Sequence, residues 1–118
     1  MTITQAKRRL KEVSQYREKI RAVMETKKEM KKAGFANAEE TARQAIDDIE
    51  AEVAGEVRTM LLLPPDESRT LIARYINCTP YVDLSRDDLL AGMTQRTAER
   101  ILARAVEHYA EISERGLA

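Results

Sequence analysis

From Ile3 to Lys32 the chain contains neither glycine nor proline. Such a run leaves little besides helix, because those two residues are the strongest local breakers of regular structure. Within it Val13, Tyr16, Ile20, Val23 and Met30 recur in steps of three, four and seven, with Ala6, Leu10 and Met24 broadening the stripe. That spacing is one face of an amphipathic helix. Ala33-Gly34-Phe35-Ala36-Asn37 then supplies a terminating glycine, and Asn37 with Glu40 three residues on has the form of a capping box. A second helix is expected from Ala38. It repeats Ala42, Ile46, Ile49, Val53, Val57 and Met60 and is stopped by Pro64-Pro65. The short connection makes the two antiparallel neighbours.

The expected fold is all-α, with two units. Residues 1–63 form a long, coiled-coil-like antiparallel hairpin, with helices at about 3–32 and 38–62. Residues 64–118 form three shorter helices at about 66–77, 86–91 and 95–114. Pro65-Asp66-Glu67 is a favourable helix start and Leu71, Ile72, Tyr75 and Ile76 are its buried face. Ser85 followed by Asp87 and Asp88 has the form of an N-cap with first-turn acids, Gly92 breaks that helix, and Thr94 caps the last one.

Composition limits function. One hundred and eighteen residues suffice for one modest core. The lone cysteine, Cys78, can form no internal disulfide and suits a reducing compartment. The N-terminus lacks the apolar core of a signal peptide and no apolar run approaches the ~18 residues of a membrane span, so the expectation is a cytoplasmic protein without a membrane partner. His108 has no second histidine or nearby cysteine, no glycine-rich phosphate loop occurs, and Asp47-Asp48 and Asp87-Asp88 are adjacent pairs that diverge on a helix. The chain is therefore read as non-enzymatic, with no catalytic residue, metal or cofactor.

Lys plus Arg and Asp plus Glu both number 20, so the formal charge is zero. Along the chain that zero is segregated: residues 1–33 carry +7, residues 34–63 carry −5 and residues 64–118 carry −2. A basic helix beside an acidic one favours antiparallel pairing. The cluster Lys27, Lys28, Lys31 and Lys32 suits the negative end of a helix and is a candidate phosphate or partner contact.

The last helix carries Ala98, Ile101, Leu102, Ala105, Val106 and Tyr109 on one face, with Arg96 and Arg100 opposite and Arg104 at the flank. Arginines at the exposed start of a helix, after a Gly-Met-Thr turn, are what a helix-turn-helix needs to reach base edges in the major groove. Gly92-Met-Thr-Gln-Arg-Thr-Ala-Glu-Arg-Ile-Leu-Ala-Arg-Ala-Val resembles the turn and recognition helix of sigma-factor region 4, and Asp66-Glu-Ser-Arg-Thr-Leu-Ile-Ala-Arg-Tyr-Ile resembles that module's first helix. The whole chain is similar to small phage and prophage transcriptional regulators that carry the module behind a helical hairpin.

The resemblance implies a transcription regulator that binds double-stranded DNA. Gln95, Arg96, Glu99 and Arg100 would face bases, Thr94 or Arg104 would face phosphate, and Met93, Ala98 and Ile101 would pack inward. The hairpin would serve homodimerisation or contact with RNA polymerase or another protein. Asp87 and Asp88 depart from the pattern, standing where an aliphatic and a small residue are usual. Two carboxylates are not buried there without partners. Either the supporting helix is shortened, with Leu84 and Leu89 supplying its core contacts, or the copy no longer binds DNA. The competing readings are a helical interaction or phage packaging and assembly protein, and a sigma-like decoy that binds protein alone.

Overall fold

A computed structural model describes residues 1–114; residues 115–118, the end of the expected C-terminal unit, lie outside the described residues. The described chain is entirely helical: α1 Ile3–Ser14, α2 Tyr16–Lys32, α3 Ala38–Met60, α4 Pro65–Leu71 running into a π-helical turn Ile72–Ile76, 3-10 turns Tyr81–Arg86 and Asp88–Leu90, and α5 Gln95–Glu114.

The helix expected over 3–32 is divided at Gln15. Ser14 Oγ donates to the Lys11 carbonyl at 2.6 Å, and such back-bonding competes with the helical ladder and bends it. Gln15 N–H turns to the Glu12 carbonyl at 3.2 Å. The joint is held from outside: Cys78 Sγ lies 3.4 Å from the Ser14 carbonyl oxygen, and Tyr16 Oη donates to the Ile76 carbonyl at 3.2 Å. Cys78 has φ +59° and reverses the chain after α4 and its π turn.

The break gives the first stretch two jobs. α2 runs antiparallel to α3, as the Lys31–Glu39 ion pair near the connection and Tyr16 beside Ile49 and Val53 at the far end show. α1 instead packs against α5 and the π turn. Ala6 and Leu10 of α1 and Met60 and Leu63 beyond the hairpin join Leu71, Ala73, Leu84, Leu90, Ala98, Leu102, Ala105, Val106, Tyr109 and Ala110 in one buried cluster. The hairpin projects from this core, which explains extents of 53 × 32 × 21 Å.

A buried carboxylate ties the parts together. Glu56 of α3 is 4% exposed. It accepts from Arg9 Nε of α1 at 2.7 Å and from Tyr109 Oη of α5 at 2.5 Å. Burial, then the carboxylate beside it, pushes the Tyr109 phenol well above its ordinary range. A second buried carboxylate, Glu67 at the start of α4, lies 2.5 Å from His108 Nδ1 and 3.5 Å from Arg104 Nε. His108 thus fixes α4 to α5.

Capping differs from expectation at three ends. Asn37 makes no side-chain cap bond, and Glu40 is taken by Arg43 at 2.7 Å. The reciprocal capping box is at Thr2 and Gln5. Ser85 does not cap the supporting segment; Asp87 does, accepting from Leu89 N–H at 2.9 Å.

Tyr109→Phe removes one donor from Glu56 and is expected to lower unfolding free energy by about 1–2 kcal/mol. Leu10→Ala, which opens a void under α5, should cost about 2–5 kcal/mol. Urea unfolding followed by circular dichroism reads both, and an unchanged midpoint for Tyr109→Phe would show that Glu56 does not depend on it.

Candidate nucleic-acid interface

The exposed start of α5 rests on the segment between the π turn and Gly92. Where one supporting α-helix was expected over 86–91, the chain makes two 3-10 turns instead. Asp87 causes this. It has β-region dihedrals between the two turns, and its carboxylate accepts from Thr79 Oγ1 at 2.6 Å, Leu89 N–H at 2.9 Å and Asn77 Nδ2 at 3.3 Å. Partial burial pushes its pKa up, but those hydrogen bonds together outweigh that and hold it below its ordinary 3.8. Asp88 is exposed. Leu84 is fully buried as expected, but its companion in the core is Leu90; Leu89 is 41% exposed.

Gly92, at φ +87°, makes the turn into α5. Thr94 then caps the helix, its Oγ1 accepting from Thr97 N–H at 3.2 Å. Ala98 is fully buried, Ile101 is buried and Met93 is partly buried against the core.

The six candidates in and just before α5 separate into two groups. Arg96 and Arg100 are exposed, one turn apart, and among the described residues neither forms a hydrogen bond or ion pair. The others have protein partners. Gln95 Nε2 donates to the Tyr81 carbonyl at 2.7 Å and to Glu99 Oε1 at 3.0 Å, and its Oε1 accepts from Ser85 N–H at 3.0 Å. Its amide therefore straps the first 3-10 turn to α5 and orients Glu99. Arg104 reaches back to α4, 3.3 Å from Asp66 Oδ2 as well as 3.5 Å from Glu67. Thr94 is exposed but serves as the cap.

Lys27, Lys28, Lys31 and Lys32 lie at the connection end of the hairpin, away from the core. Twelve residues separate Lys27 from the break at Gln15, which at 1.5 Å per residue is ~18 Å of α2. Lys31 is paired with Glu39, whose carboxyl is held below its ordinary range by Lys31 and then Lys27. The lysine cluster and the α5 arginines therefore form two separate basic surfaces.

Charge order sets α1 and α5, neither of which has an acidic residue in its first turn, apart from the other helices. The first turns of α2, α3 and α4 carry Glu18, Glu39 with Glu40, and Asp66 with Glu67, matching the positive end of the helix dipole. The first turn of α5 has no acidic residue. Arg96 adds positive charge where stability alone favours negative. Sequence reasoning missed the Asp87 and Gln95 attachments because each joins segments 8–14 residues apart across irregular chain.

No protein-family model matches the chain, and no curated protein or solved structure matches it.

Two outcomes follow from the attachments. Gln95→Ala should loosen residues 81–86 by about 1–2 kcal/mol, read as faster amide exchange there with α5 still protected. The low pKa of Asp87 contributes stability that is fully present above about pH 4 and is lost as pH falls through the folded value. Chemical shifts of Thr79 and Leu89 should therefore move on acidification below pH 4, and Asp87→Asn should abolish that movement.

Proposed function

We propose that the protein is a DNA-binding transcription regulator of phage or prophage type. In this reading α4 with its π turn, the two 3-10 turns and α5 act as a sigma-factor region 4-like helix-turn-helix whose supporting helix is shortened. The observation that carries the reading is the pair Arg96 and Arg100, exposed and without a protein partner among the described residues at the start of α5.

The physical chemistry favours an anionic, groove-shaped target. A helix N-terminus already attracts phosphate through its free N–H groups and dipole. Two guanidinium groups one turn apart extend that attraction towards base edges, and each can bond guanine bidentately. Net charge opposes loose binding, since residues 64–118 sum to −2. Affinity is therefore expected to rest on these few contacts and to show a shallow salt dependence, because the slope scales with the number of phosphates neutralised. Gln95 is assigned to support, because its amide is already bonded on both sides. Glu99 and Arg104 follow it into the supporting set, and Thr94 remains available to phosphate only beyond its capping bond.

The hairpin is assigned to protein contact, either self-association or binding to RNA polymerase. α2 buries none of its residues, although Val23 and Met30 line its inner face. A two-helix layer is left without the second layer that normally covers it. The same observation favours the second reading, an interaction or assembly protein whose α5 is a structural element alone.

Fluorescence anisotropy on a mixed-sequence duplex at low salt tests the primary reading. Arg96→Ala and Arg100→Ala should each weaken binding about ten-fold, corresponding to the ~1–3 kcal/mol of a bidentate base contact. Gln95→Ala should weaken it less. Equal affinity for wild type and both arginine variants, or no binding, sinks the DNA-reading role.

A further inference from the structure

We propose that the hairpin pairs with a second copy of this chain, through one of its two faces, about a two-fold axis running along the hairpin. The inference rests on the assignment of the hairpin to protein contact and names the partner and the face. Its starting point is that the two sides of the α2–α3 layer differ.

On one side, Ala22 and Thr26 of α2 and Thr41 and Ala45 of α3 flank an open groove of about 250 Å³ floored by Val23 and Ala42. Helical spacing of 100° per residue puts Glu18 and Glu29 towards the α2 rim of that side and Asp48 and Glu52 on the α3 rim. Four carboxylates stand there against Lys19 and Lys27, the second of which lines the groove itself. Two copies meeting on this face would bring like charges together, which costs affinity.

The opposite side is marked by the Lys31–Glu39 pair. There α2 presents Ile20 and Met24, and α3 presents Ile46. Met24 is 45% exposed, and Ile20 and Ile46 are each partly exposed. The outer edge of α2 on this side is basic, with Arg17, Arg21 and Lys28; that of α3 is acidic on balance, with Asp47 and Glu50 beside an Arg43 already paired with Glu40. Arg21, Lys28, Asp47 and Glu50 are exposed and form no hydrogen bond or ion pair among the described residues.

The axis direction follows from charge. α2 holds seven basic and three acidic residues, whereas α3 holds two basic and seven acidic. A two-fold axis perpendicular to the hairpin would stack α2 on α2 and α3 on α3. An axis along the hairpin instead lays each α2 on the α3 of the other copy, giving a four-helix bundle in which neighbours have opposite charge. The antiparallel register fixed by Arg9–Glu56 and Lys31–Glu39 sets Arg21 level with Asp47 and Arg17 level with Glu50. In the dimer Arg21 faces Asp47 of the partner subunit, twice by symmetry. Ile20, Met24 and Ile46 supply the apolar contact, and the charges set orientation, since exposed ion pairs alone are worth little. Both C-terminal modules then lie at the same end, which lets two α5 helices address one duplex.

Light scattering and sedimentation of the full chain across micromolar concentrations test this. Wild type should behave as a dimer of 13.4 kDa chains. Met24→Asp should weaken association about 100-fold, and Arg21→Glu or Asp47→Arg alone about ten-fold. The double exchange Arg21→Glu with Asp47→Arg should restore most of the loss. These positions are exposed, and an unchanged helical dichroism spectrum confirms that each variant is folded. A wild-type monomer, a dimer indifferent to Met24→Asp, or a double exchange no better than its parents overturns the proposal. The outcome is separable from DNA reading: a monomer that binds DNA through Arg96 sinks the dimer alone, and a dimer that ignores DNA sinks the DNA reading alone.

Discussion

The Glu56 carboxylate is the point on which the architecture depends. It sits where α1, α3 and α5 meet, held by Arg9 on one side and Tyr109 on the other. A buried carboxylate without donors would be expelled or neutralised. With them it links three helices that hydrophobic packing alone would allow to slide. Arg9 is half exposed, so its charge is still hydrated and the pair is less costly than a fully buried one. The guanidinium is raised above its ordinary pKa chiefly by that hydrogen bond. The contribution is primarily geometric: it fixes the angle at which the hairpin leaves the core.

From that joint the two basic surfaces acquire their positions. α5 is gripped along its length, at Tyr109 by Glu56, at His108 and Arg104 by Glu67, and at Gln95 by the Tyr81–Ser85 turn. Only Arg96, Arg100 and the rest of its outer face are left to solvent. The hairpin, by contrast, is gripped at its base and extends freely. A rigid element that presents a few charged groups, and a projecting element that offers an uncovered apolar seam, suit a molecule whose parts bind different things.

How much of this was legible in the sequence depended on how local the cause was. The paired long helices, the start at Pro65, the turn at Gly92, the Thr94 cap and the inward face of α5 all rest on spacing or on a residue's own backbone preference. The break at Gln15 did not, because an apolar stripe continues through it; the cause is the Ser14 hydroxyl together with Cys78 and Ile76, more than sixty residues away in the chain. The supporting segment was partly legible. Asp87 and Asp88 signalled a departure from the usual supporting helix, yet a helix was still expected over 86–91, and nothing local showed that Thr79, Asn77 and Leu89 would hold the Asp87 carboxylate between two 3-10 turns. For the site, helical spacing correctly put Arg96 and Arg100 outward, while the engagement of Gln95 and Arg104 depended on tertiary neighbours.

The zero net charge resolves in the same terms: it is the sum of a basic α1–α2, an acidic α3 and a mildly acidic remainder, so each surface has a sign of its own. The account as a whole turns on whether the α5 surface is the one that meets nucleic acid. Amide chemical-shift mapping of the labelled protein on adding duplex DNA measures this directly. Shifts centred on residues 94–100, with the hairpin tip around Lys27–Lys32 unmoved, are the predicted result; shifts confined to that tip, or no shifts at all, would contradict it.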